Sequence, residues 1–204
     1  MGIILIALLL TAHPISSQLV KAKTETKARA PFNFRKTRWG MSVSEVKSSE
    51  RSKPLTTFTS EGELCVMFEA TIDEIDGTSV YYKFDRGKLV EGGYLFDADN
   101  IGRTSWAPDY DHIKSLLSIR YGSPDEDQRN WQNADMEQAV QDDEGMGIEL
   151  GVLDLDARWD ANSSIIQEEL GLSDNQVSFS VRYRSSKFLA SSTATKTKAE
   201  ASQF

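Results

Sequence analysis

The sequence has few of the residues that build disulfides and metal sites. Of its 204 residues, one is cysteine (Cys65) and two are histidine (His13 and His112). A disulfide framework requires paired cysteines and a structural zinc site requires several Cys or His ligands, so the composition excludes both. Long apolar runs are scarce as well. Residues 3–12 form a run of ten apolar or small residues, whereas a membrane-spanning helix needs about 20.

Charge is abundant and unevenly distributed. The chain carries 23 Lys and Arg against 31 Asp and Glu, with 39% hydrophobic residues, which is typical of an ordinary globular domain. Residues 23–38 hold six basic side chains and one acid, whereas residues 39–184 hold 13 basic and 29 acidic side chains, a net charge of −16. Because such an acidic body repels phosphate groups, nucleic acid is excluded as a partner.

The two ends of the chain predict export and two segments outside the folded domain. The apolar run has the length of a signal-peptide core, so we expect a cleaved signal peptide at 1–22 and a periplasmic or extracellular protein with no membrane span in its mature form. An uncleaved leader that anchors the chain to the membrane is the alternative. Residues 23–31 and 186–204 have too few large apolar side chains to fold, which predicts a mobile basic arm and a disordered tail.

The folded region begins with a strong helix start. Ser42 and Glu45 have the spacing of a capping box, and Met41 and Val46 have the spacing of the hydrophobic staple that accompanies it. A short helix over 42–50 is therefore predicted, since a proline four residues later disfavours its continuation.

Alternation then predicts strands. Apolar side chains occupy every second position from Leu64 to Ile72. Two further strands flank a three-residue hairpin loop at 85–87, where Gly87 supplies the positive φ that such a loop needs. The adjacent glycines at 92–93 predict a bulge or kink in the second arm of this hairpin.

The second half of the region repeats this order. Apolar residues at helical spacing predict a helix over 109–120 that ends at Gly122. The acidic stretch 123–144 is expected to be largely irregular, and strands are predicted from 146 to 184. Within them, residues 164–170 are compatible with helix or strand, and their position before a turn favours a strand.

The two halves, 32–104 and 105–185, therefore share one order of elements, a short helix followed by antiparallel strands. We expect an α+β fold in which an antiparallel sheet carries short helices on one face. The two similar helix-plus-strands units together form a single domain over residues 32–185, which has the usual size of one domain.

Three short motifs give a resemblance to known proteins. They are Trp39-Gly40-Met41-Ser42-x-x-Glu45-Val46-Lys47, the hairpin Tyr82-x-Phe84-x-x-Gly87-Lys88-Leu89, and Tyr121-Gly122-x-Pro124 followed by Trp131. Together they resemble a group of uncharacterised bacterial exported proteins, and their order is similar to the beta-lactamase-inhibitor-like fold and to the small lipoprotein of the outer-membrane assembly machinery. The resemblance implies a helix-plus-sheet protein that acts through protein–protein contact.

Four tryptophans form the candidate partner surface. Each lies near the end of a predicted element, where a partly exposed indole can bind a partner. They are Trp39, Trp106, Trp131 and Trp159. The alternative is that each indole fills an end of the core.

Reactive and ligating side chains are weaker candidates. Cys65 alternates with apolar neighbours, so it is expected on the opposite face of its strand as a small inert side chain. His112 is expected to be solvated. Residues 97–102 and 154–158 lack the oxygen ligands of a calcium loop, and the acids of 142–144 are expected in a solvated loop rather than on a divalent ion.

These features favour a domain without catalytic function. No nucleophile accompanies His112, the single histidine of the mature chain, so no catalytic residue, cofactor or metal is assigned. We expect an exported protein that binds another envelope or extracellular protein. A domain that binds a small ligand or a cation is the first alternative. A hydrolase that uses two carboxylates is the second, because the separation of carboxylates is decided only in three dimensions.

Overall fold

The computed structural model describes residues 32–191 except 61, 74, 76 and 141. The predicted signal peptide, the basic arm and the end of the predicted tail lie outside this part. Residues 186–191 form a helical turn, whereas the sequence predicted disorder from 186. The turn begins where the backbone N–H of Phe188 donates to the Ser185 hydroxyl at 3.3 Å, as at a helix N-cap.

Within the described residues, no helix combines the length and the apolar character that crossing a membrane requires.

In the part of the chain that the structure describes, eight antiparallel strands form one sheet. The strands are β1 (Pro54–Ser60), β2 (Glu63–Glu69), β3 (Thr78–Asp85), β4 (Lys88–Phe96), β5 (Glu126–Trp131), β6 (Leu153–Ala161), β7 (Ser164–Ser173) and β8 (Gln176–Ser185). Their order across the sheet is β1-β2-β3-β4-β8-β7-β6-β5. Each half of the chain therefore contributes four consecutive strands, and the last strands of the two halves, β4 and β8, pair at the centre.

The helices lie on one face of this sheet. They are α1 (Val43–Ser49), α2 (Ala98–Ile101), α3 (Arg103–Tyr121), α4 (Ala134–Val140) and α5 (Glu144–Glu149). Buried residues of α1, α2, α3 and α5 share one core with every second side chain of the central strands. The short α4 packs against α5 and β5. The predicted α+β fold, an antiparallel sheet with short helices on one face, is confirmed.

Two local predictions are confirmed because short-range chemistry decides them. At the start of α1, Glu45 donates its backbone N–H to the Ser42 hydroxyl, and the Glu45 carboxylate accepts the Ser42 backbone N–H at 2.8 Å. Between β7 and β8, Asp174 and Asn175 both have positive φ, 53° and 62°, which is the geometry of a two-residue type I′ turn. That turn makes β7 a strand rather than a helix.

The first hairpin differs from its prediction. Asp85 pairs with Lys88, so the turn has two central residues, Arg86 and Gly87, instead of three. Both have positive φ, 47° and 73°, and the turn is again of type I′, whose twist matches that of the strands.

The glycines at 92–93 do not form the predicted bulge, because the register of this hairpin shifts nearer its turn. They make room for aromatic rings on opposite faces of the sheet. A Cβ on Gly92 would lie 2.5 Å from the ring of Phe34, and one on Gly93 would lie 2.7 Å from the ring of Tyr81. Phe34 lies on the helix side, 3% exposed, within the shared core.

Five elements were missed or misplaced by the sequence prediction, among them the four-residue α2, which had no predicted counterpart. β1 and β5 are exposed along almost their whole length and show no apolar alternation. α5 occupies 144–149, where a strand from 146 was predicted. Its Gly145 and Gly147 approach Arg103 and the ring of Trp131 too closely for a side chain, and this tertiary contact leaves no local pattern. α3 begins six residues before its predicted start.

Candidate functional site

Side chains that alternate with the core residues point to the other face of the sheet. The helices α1 to α5 pack on the opposite side, so we name this surface the open face. The strand register places there Phe58, Cys65, Tyr81, Lys83, Glu91, Leu95, Asp154, Asp156, Arg158, Asp160, Gln167, Glu169, Gly171, Ser178, Ser180, Arg182 and Arg184.

Polar contacts between strands hold the centre of the open face. Arg182 on β8 pairs with Glu169 on β7, and Arg184 donates to the Gln167 side-chain carbonyl. Gln167 in turn donates to the Asp156 carboxylate at 2.9 Å. Such cross-strand pairs fix side chains that would otherwise move freely in solvent.

Towards the first half, the open face is more closely packed. Tyr81 lies over Gly93 and donates to the Glu91 carboxylate at 2.8 Å. Burial, together with the charge of Glu91, raises the pKa of Tyr81. Cys65 is on this face, as its alternation predicted, and is 6% exposed opposite Phe58. Burial raises the pKa of the Cys65 thiol, so the thiolate that reacts with oxidants is disfavoured.

Charged side chains, three of the four acidic, occupy alternate positions along β6. Asp154, Asp156, Arg158 and Asp160 occupy alternate positions and therefore share the open face; this row is named the acidic ladder. Arg158 pairs with Asp160 at 2.9 Å, whereas Asp154 has no partner among the side chains that the structure describes. From the sequence, residues 154–158 were considered only as a calcium loop. The sequence signal that indicates the ladder is a charged residue at every second position of β6.

A groove of about 570 Å³ crosses the open face from β4 to β5. Its middle strands, β7 and β8, contribute the small residues Gly171, Ser178 and Ser180, which are flanked by larger side chains. A Cβ on Gly171 would lie 2.1 Å from a carboxylate oxygen of Asp154, so the acid reaches over the glycine. The groove exists because these central positions carry almost no side chain.

The groove is suited to a cationic group. Three carboxylates and one guanidinium line it, from Asp154, Asp156, Glu169 and Arg182, which leaves a net negative charge. Carboxylates accept charge-assisted hydrogen bonds from ammonium and guanidinium groups. Within the described part of the chain, no three or more His, Cys, Asp or Glu side chains converge as metal ligands.

A second acidic group lies in the core. Glu168 points to the helix side of β7 between Ala157 and Val181, and it is 0% exposed. Neither of its carboxyl oxygens, nor the hydroxyl of Tyr110 on α3, has a hydrogen-bond partner among the described residues. Burial raises the pKa of Glu168 to about 9, against the opposing effect of Lys114.

Glu168 has the raised pKa that a catalytic acid needs, but not the access. A general acid must reach its substrate within hydrogen-bond distance, and the side chain is closed off from solvent. Above it, Lys114 pairs with Asp111 at 3.1 Å and with Asp127 at 3.0 Å. These contacts join α3 to β5 over the buried acid, so we assign Glu168 to the core.

The four tryptophans differ in how far they are exposed to solvent. Trp106 and Trp159 are 6% and 1% exposed, and their indole N–H groups donate to backbone carbonyl oxygens at 2.8 and 2.9 Å. Trp39 and Trp131 are half-buried against the same core. None of the four lies on the open face, and only Trp39 and Trp131 keep part of the indole accessible.

Other predicted candidates have roles in folding. The Nε2 atom of His112 lies 2.6 Å from the Asp73 carboxylate, with its side chain 46% exposed. Asp97 and Asp143 accept backbone N–H groups at the starts of α2 and α5. Acidic side chains at such positions stabilise the helix ends.

Comparison of the chain with protein-family models, with curated proteins and with solved structures finds no match. The resemblance to the beta-lactamase-inhibitor-like fold therefore stays a prediction, and the open face has to be interpreted from its own geometry.

Proposed function

We propose that this chain is an exported protein-binding domain of the cell envelope or the extracellular space, and that its open face binds an extended, cationic segment of another protein. The observation that carries the proposal is the acidic ladder along β6, beside a groove of about 570 Å³ lined by three carboxylates. The apolar run at 3–12 supports export.

The ladder favours an extended partner because its spacing is that of a strand. Successive members are two residues apart, about 6.6 Å at 3.3 Å per residue. An extended segment lying along β6 presents its own side chains at the same interval, so every second residue of the segment lies opposite one member of the ladder. Lys or Arg is complementary to Asp154, Asp156 and Asp160, and an acid is complementary to Arg158.

The matching pattern is therefore a basic residue at alternate positions, interrupted once by an acid. Residues 21–29 of this chain have this pattern, with Lys21, Lys23, Glu25, Lys27 and Arg29. A synthetic peptide of residues 21–30 is consequently a suitable probe for a partner of this chemistry.

Fluorescence anisotropy of this labelled peptide with the full chain tests the proposal. We expect saturable binding that weakens with added salt, because exposed ion pairs are screened over about 8 Å at physiological ionic strength. Replacing Asp154→Lys and Asp156→Lys together turns two attractions into repulsions and should weaken binding about tenfold or more.

Two controls separate recognition from general charge attraction. Asp135→Lys with Glu137→Lys makes the same change in net charge on α4, which packs on the helix side, and should leave binding unchanged. A peptide of identical composition with its basic residues contiguous should bind more weakly. Equal binding of the two peptides, or equal losses in the two double variants, would contradict the proposal.

The groove by itself favours a second candidate, a small cationic ligand, since its volume lies within the usual range of ligand sites. Arginine amide and the peptide are compared by their effect on the melting temperature, because a ligand that binds only the folded state raises it. A rise with arginine amide that equals the rise with the peptide favours the small ligand. A rise with the peptide alone favours the protein partner.

A further inference from the structure

The two edges of the sheet are protected very differently. β1 and β5 are the edge strands. β5 carries Glu126, Asp127 and Arg129 within six residues, and such charges discourage the pairing of an edge with another strand. β1, with the sequence Pro-Leu-Thr-Thr-Phe-Thr-Ser, is the one strand among the eight that has no charged residue.

β1 also has the other properties of a strand that accepts a partner. All seven of its residues are exposed, including Leu55 at 47% and Phe58 at 44%. Three threonines give it β-branched side chains, which fit a pleated surface. Its single irregularity lies between Pro54 and Thr56, so residues 56–60 pair regularly with β2. Its proline is at the first position, where the missing N–H costs least.

We propose that β1 pairs antiparallel with β1 of a second copy of this chain, and that this joins two sheets across a two-fold axis. Self-complementarity points to a second copy. A seven-residue strand paired with itself over its full length centres on Thr57, which then faces its own counterpart. Phe58 faces Thr56 of the other copy, and Leu55 faces Thr59. Aromatic–threonine and threonine–threonine pairs of this kind stabilise sheets.

The charge of the chain also favours a second copy as the partner of β1. The chain has a formal net charge of −8, so two copies repel wherever acids meet, and like charges directly opposite each other destabilise a sheet. β1 is the edge at which two copies can join without placing one acid against another. A closed two-fold dimer uses the same strand on both chains, so no further edge is created for polymerisation at this side.

Thr57 provides a specific test, because the proposed axis places it opposite itself. Sedimentation velocity of the full chain over a range of concentrations should give a monomer–dimer equilibrium. Thr57→Lys puts two like charges on the axis and should raise the dimer dissociation constant about tenfold or more. Thr57→Glu should do the same.

Mixing Thr57→Lys with Thr57→Glu should restore the dimer, since each heterodimer then has opposite charges on the axis. Gln128→Lys on β5 makes the same charge change at the other edge and should leave the dimer intact. Because Thr57 is exposed, Thr57→Lys and Thr57→Glu should unfold at the wild-type urea concentration when all three proteins are measured below the dimer dissociation constant, where dimerisation adds no stability. This separates loss of pairing from loss of folding.

A wild-type chain that stays monomeric at its highest soluble concentration would overturn the proposal. So would a dimer that persists in Thr57→Lys, or a mixture of the two variants that fails to recover it. The proposal is independent of the cationic partner, because the Asp154 and Asp156 variants leave β1 unchanged.

Discussion

Glu168 makes the stability of this protein depend on pH in an unusual direction. Its pKa is raised by burial from an ordinary value of 4.5 to about 9. Below pH 4.5 the carboxyl is neutral in both the folded and the unfolded chain, so burial imposes no ionisation penalty. As the pH rises towards 9, the unfolded chain gains free energy by ionising Glu168, whereas the folded chain cannot. The folded state should therefore lose stability over this window.

The size of the effect follows from the difference in pKa. pH 7 lies 2.5 units above the pKa of the side chain in the unfolded state, and each unit corresponds to about 1.4 kcal/mol. Burial of Glu168 should therefore lower the free energy of unfolding at pH 7 by about 3 kcal/mol. Glu168→Gln keeps the shape of the side chain but cannot ionise. The variant should be more stable than the wild type by about 3 kcal/mol at pH 7 and nearly equal to it at pH 4.

Urea unfolding, followed by tryptophan fluorescence between pH 4 and pH 8, measures this difference. The control is Glu137→Gln on α4, which is exposed; it makes the same change in net charge without touching the core and should show no such trend. If the difference between wild type and Glu168→Gln stays constant from pH 4 to pH 8, the carboxyl is not the buried, neutral group that its position indicates.

Three further substitutions test close packing at two glycines and one buried hydrogen bond. Gly92→Ala forces the new Cβ against the Phe34 ring, 2.5 Å away, and should destabilise the fold by about 1–3 kcal/mol in urea unfolding. Gly171→Ala meets a flexible carboxylate instead and should leave the unfolding midpoint nearly unchanged; equal losses in the two would contradict this reading. Trp159→Phe removes the hydrogen bond to the Gly122 carbonyl at 2.9 Å and should cost about 1–3 kcal/mol. A midpoint equal to the wild type would show that this bond contributes little.

The success of the sequence predictions depended on the range of the interactions involved. The α1 start, the positive-φ glycine of the first hairpin and the turn after β7 involve residues within three positions of each other, and all three were predicted. The two-residue length of the first hairpin loop was not, because Asp85 and Lys88 pair only when β3 and β4 are in register.

The periodicity of apolar residues could not predict the edge strands or the helix α5. β1 has no buried side chain, so burial imposed no alternation on it. α5 depends on Gly145 and Gly147 lying against α3 and β5, and glycine at such positions has no distinctive local signature. The sequence left open whether the tryptophans are exposed or fill the core, and the burial of Trp106 and Trp159 was decided by how the helices pack on the sheet.

The α+β class, the alternating faces of the strands and the acidic character of residues 39–184 could be predicted from the amino-acid sequence, because they depend on near neighbours and composition. Packing of the whole chain was needed to establish the central pairing of β4 with β8, the groove around Gly171, the burial of Glu168 and the unprotected edge at β1. Each of these features depends on which distant segments pack together. The free energy that favours this packing comes from contacts throughout the core, so no single stretch of the chain predicts it.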